Sequence, residues 1–319
     1  MLSLVTGATG FLGSRVARAL STRGDRVRVL VRKTSDTRRL DGLDVETVHG
    51  DVTDPASVER AVEGTDRVFH SAAVYQIGAT DPERMREVNV EGTRNVLRAA
   101  APSGALVVHV SSTVALGPTP PGEIADESHW SKGEARSPYE ATKRAAHLLA
   151  RAAAAEGARV RIAVPVTIYG PDDPSLTGTT HKWIARGAMR VGALAGLPMT
   201  FVHVDDCAEA VVLVAERGED GAEFVVAERS VTFREWFTLA ARAAGRPPPS
   251  VWLPDGLVHG FASASRVMPK VVREGLAMSL GVRWAYRGDK ARHELGWSPR
   301  PLEEGLRDTM AFYRPREGG

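Results

Sequence analysis

Residues 2–20 read LSLVTGATGFLGSRVARAL, a β-rich run that becomes helical across three glycines, Gly7, Gly10 and Gly13. The run LSLVT has strand character, and the apolar positions of FLGSRVARAL recur at helical spacing. A strand that turns straight into a helix leaves the helix's first N–H groups unpaired. With no Cβ in the way, a phosphate can reach them, so Gly7, Thr9, Gly10, Phe11, Leu12 and Gly13 form a candidate cradle for a dinucleotide's pyrophosphate. The first two glycines are three positions apart, so the turn is not GxGxxG. A tight strand-to-helix loop also needs glycine, and the rest of the chain has to decide between the two.

The same alternation continues outward from this turn. Strand-like runs appear at RVRVLV, LDVETVHG, RVFHSA, ALVVHVSS and RVRIAVPV, with helical patterns at 11–23, 55–63, 83–101 and 137–156. The β-α-β-α order predicts an α/β fold, a doubly wound parallel sheet with helices on both faces and right-handed crossovers. After Pro165 the rhythm loosens. Residues 171–200 are rich in Gly, Thr and Pro, and the αβ piece at 201–228 is expected to rejoin the sheet. The expected division is a nucleotide-binding domain over 1–170 with 201–228, and a smaller, mostly helical substrate lobe from 171–200 and 229–319.

Composition narrows the function classes. In 319 residues, 41 basic side chains nearly balance 39 acidic ones, which argues against nucleic acid as a partner. The single cysteine, Cys207, excludes an internal disulfide and suits a reducing cytoplasm; its DDCAEA setting reads as a small buried side chain at a helix start. No basic and apolar leader precedes Leu2, and no apolar run is long enough to insert stably in a membrane. A cytoplasmic protein acting on a small molecule is the expectation.

TGATGFLG resembles the TGxxGxxG turn of the extended short-chain dehydrogenase/reductase family, the NAD-dependent epimerase/dehydratase superfamily. GDVTDP (50–55), NVEGTRNVLRAA (89–100), VSSTVALG (110–117), PYEATK (138–143), PVTIYGP (165–171), FVHVDD (201–206) and HELGWSPRP (293–301) follow in the family's order over almost the whole chain. Within it the chain is most similar to dihydroflavonol-reductase-like and hopanoid-associated epimerase-like proteins. The resemblance implies a Rossmann domain holding a nicotinamide dinucleotide. It puts Asp51 and Val52 against the adenine, Ala72 and Ala73 under the ribose, and Pro165 and Ile168 beside the nicotinamide. A helix pair across a dimer seam is usual in the family, which leaves room for a homodimer. At the end of the second strand an acid would read the ribose of NAD, but VRVLVRKTSD carries Arg32 and Lys33 there. Cations at that point suit the 2′-phosphate, so NADP (NADPH) is expected over NAD, with Thr34 or Ser35 adding a hydroxyl. Asp36 is expected to lie past the ribose.

In PYEATK, Tyr139 and Lys143 stand four residues apart at a helix start and share a face. An ammonium beside a phenol favours phenolate and brings Tyr139 toward the working range for proton transfer to a carbonyl oxygen. A second YxxxK, Tyr286 to Lys290, contains Gly288, and Asp289 reads as the cap of the next helix; Tyr286 is expected to be structural or substrate-facing. The resemblance makes Ser112 the catalytic hydroxyl with Ser111 as helper, and Asn89 the residue that holds a helix kink and a relay water near the lysine. His70, His109 and His203 lack metal-ligand spacing and read as hydrogen-bonded sheet residues; no metal site is expected.

Relatives acting on nucleotide sugars carry Arg two residues before the aromatic of FVHVDD, where this chain has Met199, and YGPDD lacks the basic residue that often follows YGP. Both departures count against a diphosphate substrate, although Arg186 and Arg190 stand in the neighbouring segment. The lobe's Trp183, Trp252, Phe261, Met268, Met278 and Trp284 instead favour a hydrophobic ketone or aldehyde, or simply build the lobe's core. The amphipathic segment within 256–283 reads as a packed helix, with loose contact to a lipid surface or partner as the alternative. The leading expectation is an NADPH-dependent carbonyl reductase. A nucleotide-sugar epimerase or dehydratase with retained NAD, and a non-catalytic NADP sensor, are the competing readings.

Overall fold

The computed structural model describes residues 1–75, 81–258 and 281–314. Its strands are β1 (Leu2–Thr6), β2 (Arg26–Val31), β3 (Val45–His49), β4 (Arg67–His70), β5 (Leu106–Val110), β6 (Val160–Pro165), β7 (Thr167–Tyr169), β8 (Val191–Ala193), β9 (Pro198–His203), β10 (Glu223–Val226), β11 (Arg229–Thr232) and β12 (Val251–Leu253). Seven of them form one parallel sheet in the order β3-β2-β1-β4-β5-β6-β10. The chain winds outward from β1 to β3, then returns to the other side of β1 with β4. That reversal opens a crevice at the carboxyl ends of β1 and β4. Every residue of β4 and β5 is buried, as continuous apolar runs in a covered sheet should be, while the edge strand β3 is partly exposed.

The covering helices are α1 (Phe11–Thr22), α2 (Pro55–Val62), α3 (Pro82–Arg86), α4 (Gly92–Ala100), α5 (Thr113–Leu116), α6 (Pro138–Ala155), α7 (Leu176–Ala185), α8 (Val204–Arg217) and α9 (Phe233–Ala244), followed by Asp289–Leu295 and Leu302–Tyr313. α1 and α8 pack together, as do α2 with α4 and α4 with α6. Of the segment 201–228, β10 pairs with β6 in the main sheet, whereas the Phe201–His203 end belongs to β9. β9 lies between β7 and β11 in a separate three-stranded sheet, and β8 pairs with β12. A second core of Tyr169, Phe201, Trp236, Leu302, Leu306 and Met310 sits behind that smaller sheet. Among the described residues no helix is long and apolar enough to cross a membrane.

The helix expected over 83–101 opens at Asn89, where the resemblance implies a kink. Residues Glu87–Glu91 form one π turn between α3 and α4. Asn89 causes the widening: its Oδ1 accepts from Val74 N–H at 2.7 Å and its Nδ2 donates to the Val74 carbonyl at 2.9 Å and to Thr142 Oγ1 at 3.1 Å. Asp289 is likewise not a cap; it is the first helical residue after Gly288. Cys207 is fully buried in the first turn of α8. Phe261, Met268, Met278 and most of the amphipathic 256–283 segment lie outside the described residues.

Candidate active site

A cleft of about 900 Å³ runs from the glycine turn along the carboxyl ends of the sheet into the smaller lobe. Gly7, Thr9, Gly10, Phe11, Leu12 and Gly13 line one end, and α1 begins at Gly10 with no side chain capping it. Its first N–H groups are therefore available to a ligand. The glycines also answer to the chain itself. A Cβ on Gly13 would stand 2.2 Å from the Gly7 carbonyl oxygen, and one on Gly7, which has φ +74°, would stand 2.7 Å from the amide nitrogen of Ala72. Two of the three glycines are thus imposed by backbone against backbone, whatever the cleft holds.

Arg32, Ser35, Asp51, Val52, Ala72 and Ala73 line the same end, whereas Lys33 is exposed outside the lining. Asp36 turns to Arg38, whose side chain and backbone donate to it. Asp51 is already engaged: Oδ1 accepts from the Thr53 amide and hydroxyl, both at 3.0 Å, and Oδ2 from Arg84 Nη2 at 2.7 Å. Arg84 lines the cleft and had no signal in the sequence beyond its charge on a helix start.

The candidate catalytic side chains line the same cleft. Ser137 caps α6 by accepting from the Glu140 amide at 3.1 Å, and the nearly fully buried Glu140 carboxylate accepts from the Arg136 amide at 3.2 Å. This capping arrangement fixes the start of α6 and with it the positions of Tyr139 and Lys143. Both line the cleft, together with Ser111, Ser112, Pro165 and Ile168. Ser112 caps the short α5 through the Val114 amide at 3.2 Å. Asn89 lies behind the wall and reaches the site through Val74 and Thr142.

The electrostatics differ from the sequence expectation. Burial pushes Tyr139 up to about 12, against the opposing hydrogen bond from Ser112, and Lys143 is not among the groups that set it. Burial lowers Lys143 itself to about 8, and its ammonium donates to the Val110 carbonyl at 3.0 Å. In this arrangement desolvation outweighs the expected pull toward phenolate, so Tyr139 holds its proton.

The three histidines also divide. His70 is buried and bonds Thr6 Oγ1 at 2.8 Å and Thr93 Oγ1 at 3.0 Å, and burial takes it down to about 3. His203 closes β9 and accepts from the Asp205 amide at 3.3 Å as the cap of α8. His109 departs from the expectation: both ring nitrogens are buried without a hydrogen-bond partner, its ring 5.7 Å from that of His70. Burial, then the charge of Lys143, drives it well below the ordinary histidine range, and a neutral ring tolerates the site. Tyr286 is structural; it is buried and its hydroxyl donates to the Gly117 carbonyl, away from the cleft lining.

The far arm of the cleft is walled by Met189, Met199, Phe233, Trp236, Phe237 and Trp284. Trp183 lines it too, but Trp252 packs on Phe237 and under Arg234 instead. Phe233, Trp236 and Phe237 were missed in the sequence because their spacing on α9 reads as an ordinary buried face.

Comparison with known proteins places this architecture. The model of the family described as NAD dependent epimerase/dehydratase matches residues 3–227. The chain belongs to the NAD-dependent epimerase/dehydratase family. Sterol demethylase protein B of Methylococcus capsulatus is 35% identical over 99% of this chain and 99% of its own. A putative dihydroflavonol 4-reductase of Synechocystis is 30% identical, with 97% and 94% covered. The structure of Thermus thermophilus UDP-glucose 4-epimerase in complex with NAD superposes with a TM-score of 0.79 at 27% identity, covering 99% of this chain and 100% of that one. This family's members are NAD(P)-dependent enzymes, and the cleft fits such a dinucleotide: an uncapped helix start at a glycine turn, small Ala72 and Ala73 beside it, and Arg32 at the end of β2.

Proposed function

We propose that this epimerase/dehydratase-family protein is an NADPH-dependent reductase of a small hydrophobic ketone or aldehyde. The observation that carries the reading is the meeting of Ser112, Tyr139 and Lys143 in one cleft whose far arm is apolar. Among the described lining residues the only charges are Arg32, Asp51, Arg84, Lys143 and Asp173; Arg186 and Arg190 are not in the lining. The described residues of the far arm therefore offer a diphosphate no guanidinium, which supports an apolar substrate over a nucleotide sugar. Relatives named as reductases, and one named for sterol demethylation, support the same class. Arg32 and Ser35 on the lining favour NADPH over NADH.

When bound, NADPH would supply the hydride. Ser112 holds the substrate's carbonyl oxygen, and Tyr139, still protonated at neutral pH, gives its proton to that oxygen as negative charge builds there. Lys143 contributes positive charge behind Tyr139 and a donor for a ribose hydroxyl. The test is NADPH consumption with a panel of apolar aldehydes and ketones, beside the variant Tyr139→Phe. Turnover in the wild type and at least a thousandfold loss in the variant, with NADPH affinity nearly unchanged, is expected; undiminished turnover in Tyr139→Phe removes Tyr139 from the chemistry.

A further inference from the structure

The far arm of the cleft does not end in a polar mouth. Among the described residues nine large hydrophobic side chains stand exposed, and four of them, Trp183, Val191, Val251 and Leu257, gather at the outer end of this arm, each 43% to 54% exposed. Trp183 on α7 and Val191 at the start of β8 also line the cleft, so each has one side on the cavity and another on solvent. Val251 on β12 is in register with Val191 and shares its face of the strand pair. Two residues further along that face, Ala193 and Leu253 line the cleft. The apolar wall thus runs from inside the arm out to solvent. Leu257 follows on the turn after β12, next to the buried lining residue Val258.

Cations flank this rim. α7 turns directly into β8, with the Ala188 amide donating to the Trp183 carbonyl at 2.9 Å. Arg186 ends α7, Arg190 stands beside Val191, and Arg246 is held against the same turn, its Nε donating to the Ala185 carbonyl at 3.1 Å. All three are exposed, none lines the cleft, and none has an acidic partner among the described residues. Asp255, exposed on the Leu257 turn, offsets one of them. Scattered exposed apolar side chains need no partner, but a cluster rimmed by charge of one sign does. Arginines without acids of their own, around an indole and aliphatic side chains, suit the surface of an anionic bilayer. There the guanidinium groups stay with the phosphates while the apolar side chains enter the boundary with the acyl chains. The position adds a reason, because the rim borders the arm that an apolar substrate would enter, and such a substrate partitions into lipid.

We propose that this rim docks the protein on an anionic phospholipid surface, and that the apolar carbonyl substrate passes from the bilayer directly into the far arm. The delivery half rests on the reductase reading; the docking half does not.

Co-sedimentation of the full chain with vesicles of phosphatidylcholine, alone or mixed with phosphatidylglycerol, tests the docking half with no substrate present. Preferential binding to the mixed vesicles is expected, reduced about tenfold or more in Arg186→Glu with Arg190→Glu, and likewise in Val251→Asp with Leu257→Asp. None of these four residues lines the cleft, so NADPH affinity and turnover of a short, water-soluble ketone should be unchanged in both variants, which reports that they are folded. Turnover of a long-chain ketone carried in the mixed vesicles should fall with the binding. No sedimentation with the mixed vesicles, or sedimentation that both variants retain, overturns the docking. A dimer that Val251→Asp with Leu257→Asp dissociates in lipid-free analytical ultracentrifugation assigns the rim to a second copy and overturns it too. Vesicle binding with undiminished long-chain turnover in the variants overturns the delivery half. Vesicle binding with no ketone reduced, soluble or embedded, although NADPH is bound, overturns the reductase reading and leaves the docking standing.

Discussion

Tyr139 and Lys143 are shifted in opposite directions by the same burial, and that sets the pH behaviour. Tyr139 keeps its proton up to about 12, whereas Lys143 loses its charge as pH rises through about 8. Carbonyl reduction needs both protons, so kcat/KM should fall about tenfold per pH unit above pH 8, well before the phenol ionises. A rate that stays flat to pH 9.5 would sink this account. The sign for stability follows from the same shift. A base whose folded pKa is lowered destabilises the fold fully below that pKa, and the deficit disappears as pH rises from about 8 through its ordinary 10.5. Lys143→Met should therefore stabilise the fold at pH 7, on the order of 2 kcal/mol or less once the bond to the Val110 carbonyl is lost, seen as a raised melting temperature, and the gain should shrink near pH 10. An unchanged or lower melting temperature at pH 7 would show that the ammonium is better solvated than its position implies.

At the level of elements, the turn before α1 and the π turn before α4 carry the site by different devices. In the first, Gly13→Ala would force the Gly7 carbonyl aside, since the added carbon has only 2.2 Å of room. We expect NADPH affinity to fall at least a hundredfold by fluorescence titration, and the melting temperature to drop. In the second, Asn89→Ala would leave the Val74 N–H and carbonyl unpaired inside the protein. Chemical denaturation should show a loss of about 2–4 kcal/mol, with turnover falling further as the wall beneath Thr142 relaxes. Retained stability in that variant would mean that water replaces the amide.

Across the whole molecule, the substrate arm and the second core are the same residues. Phe201 and Trp236 stack at 3.6 Å and 7°, both buried, and both reach the cleft lining. Trp236→Ala should cost about 3–5 kcal/mol in denaturation, and raise KM for apolar carbonyls more than it lowers kcat. Loss of stability with KM unchanged would confine Trp236 to the core. Distant segments are also tied by Arg39, whose Nε and Nη2 donate to Asp172 Oδ2 at 2.9 and 2.7 Å.

Local chemistry by itself determined a good deal. Period-two and helical runs and the glycine turn made the parallel sheet legible, and the YxxxK spacing put Tyr139 and Lys143 on one helix face, because each depends on residues within a turn or two of one another. What lay beyond reach was set by contacts between distant segments. Burial, not the neighbouring ammonium, decides the state of Tyr139, and the partner that Asn89 bonds where the helix opens is the backbone of Val74, 15 residues away. Desolvation and hydrogen-bond direction depend on the groups that surround a side chain in three dimensions, and only the tertiary structure says which those are.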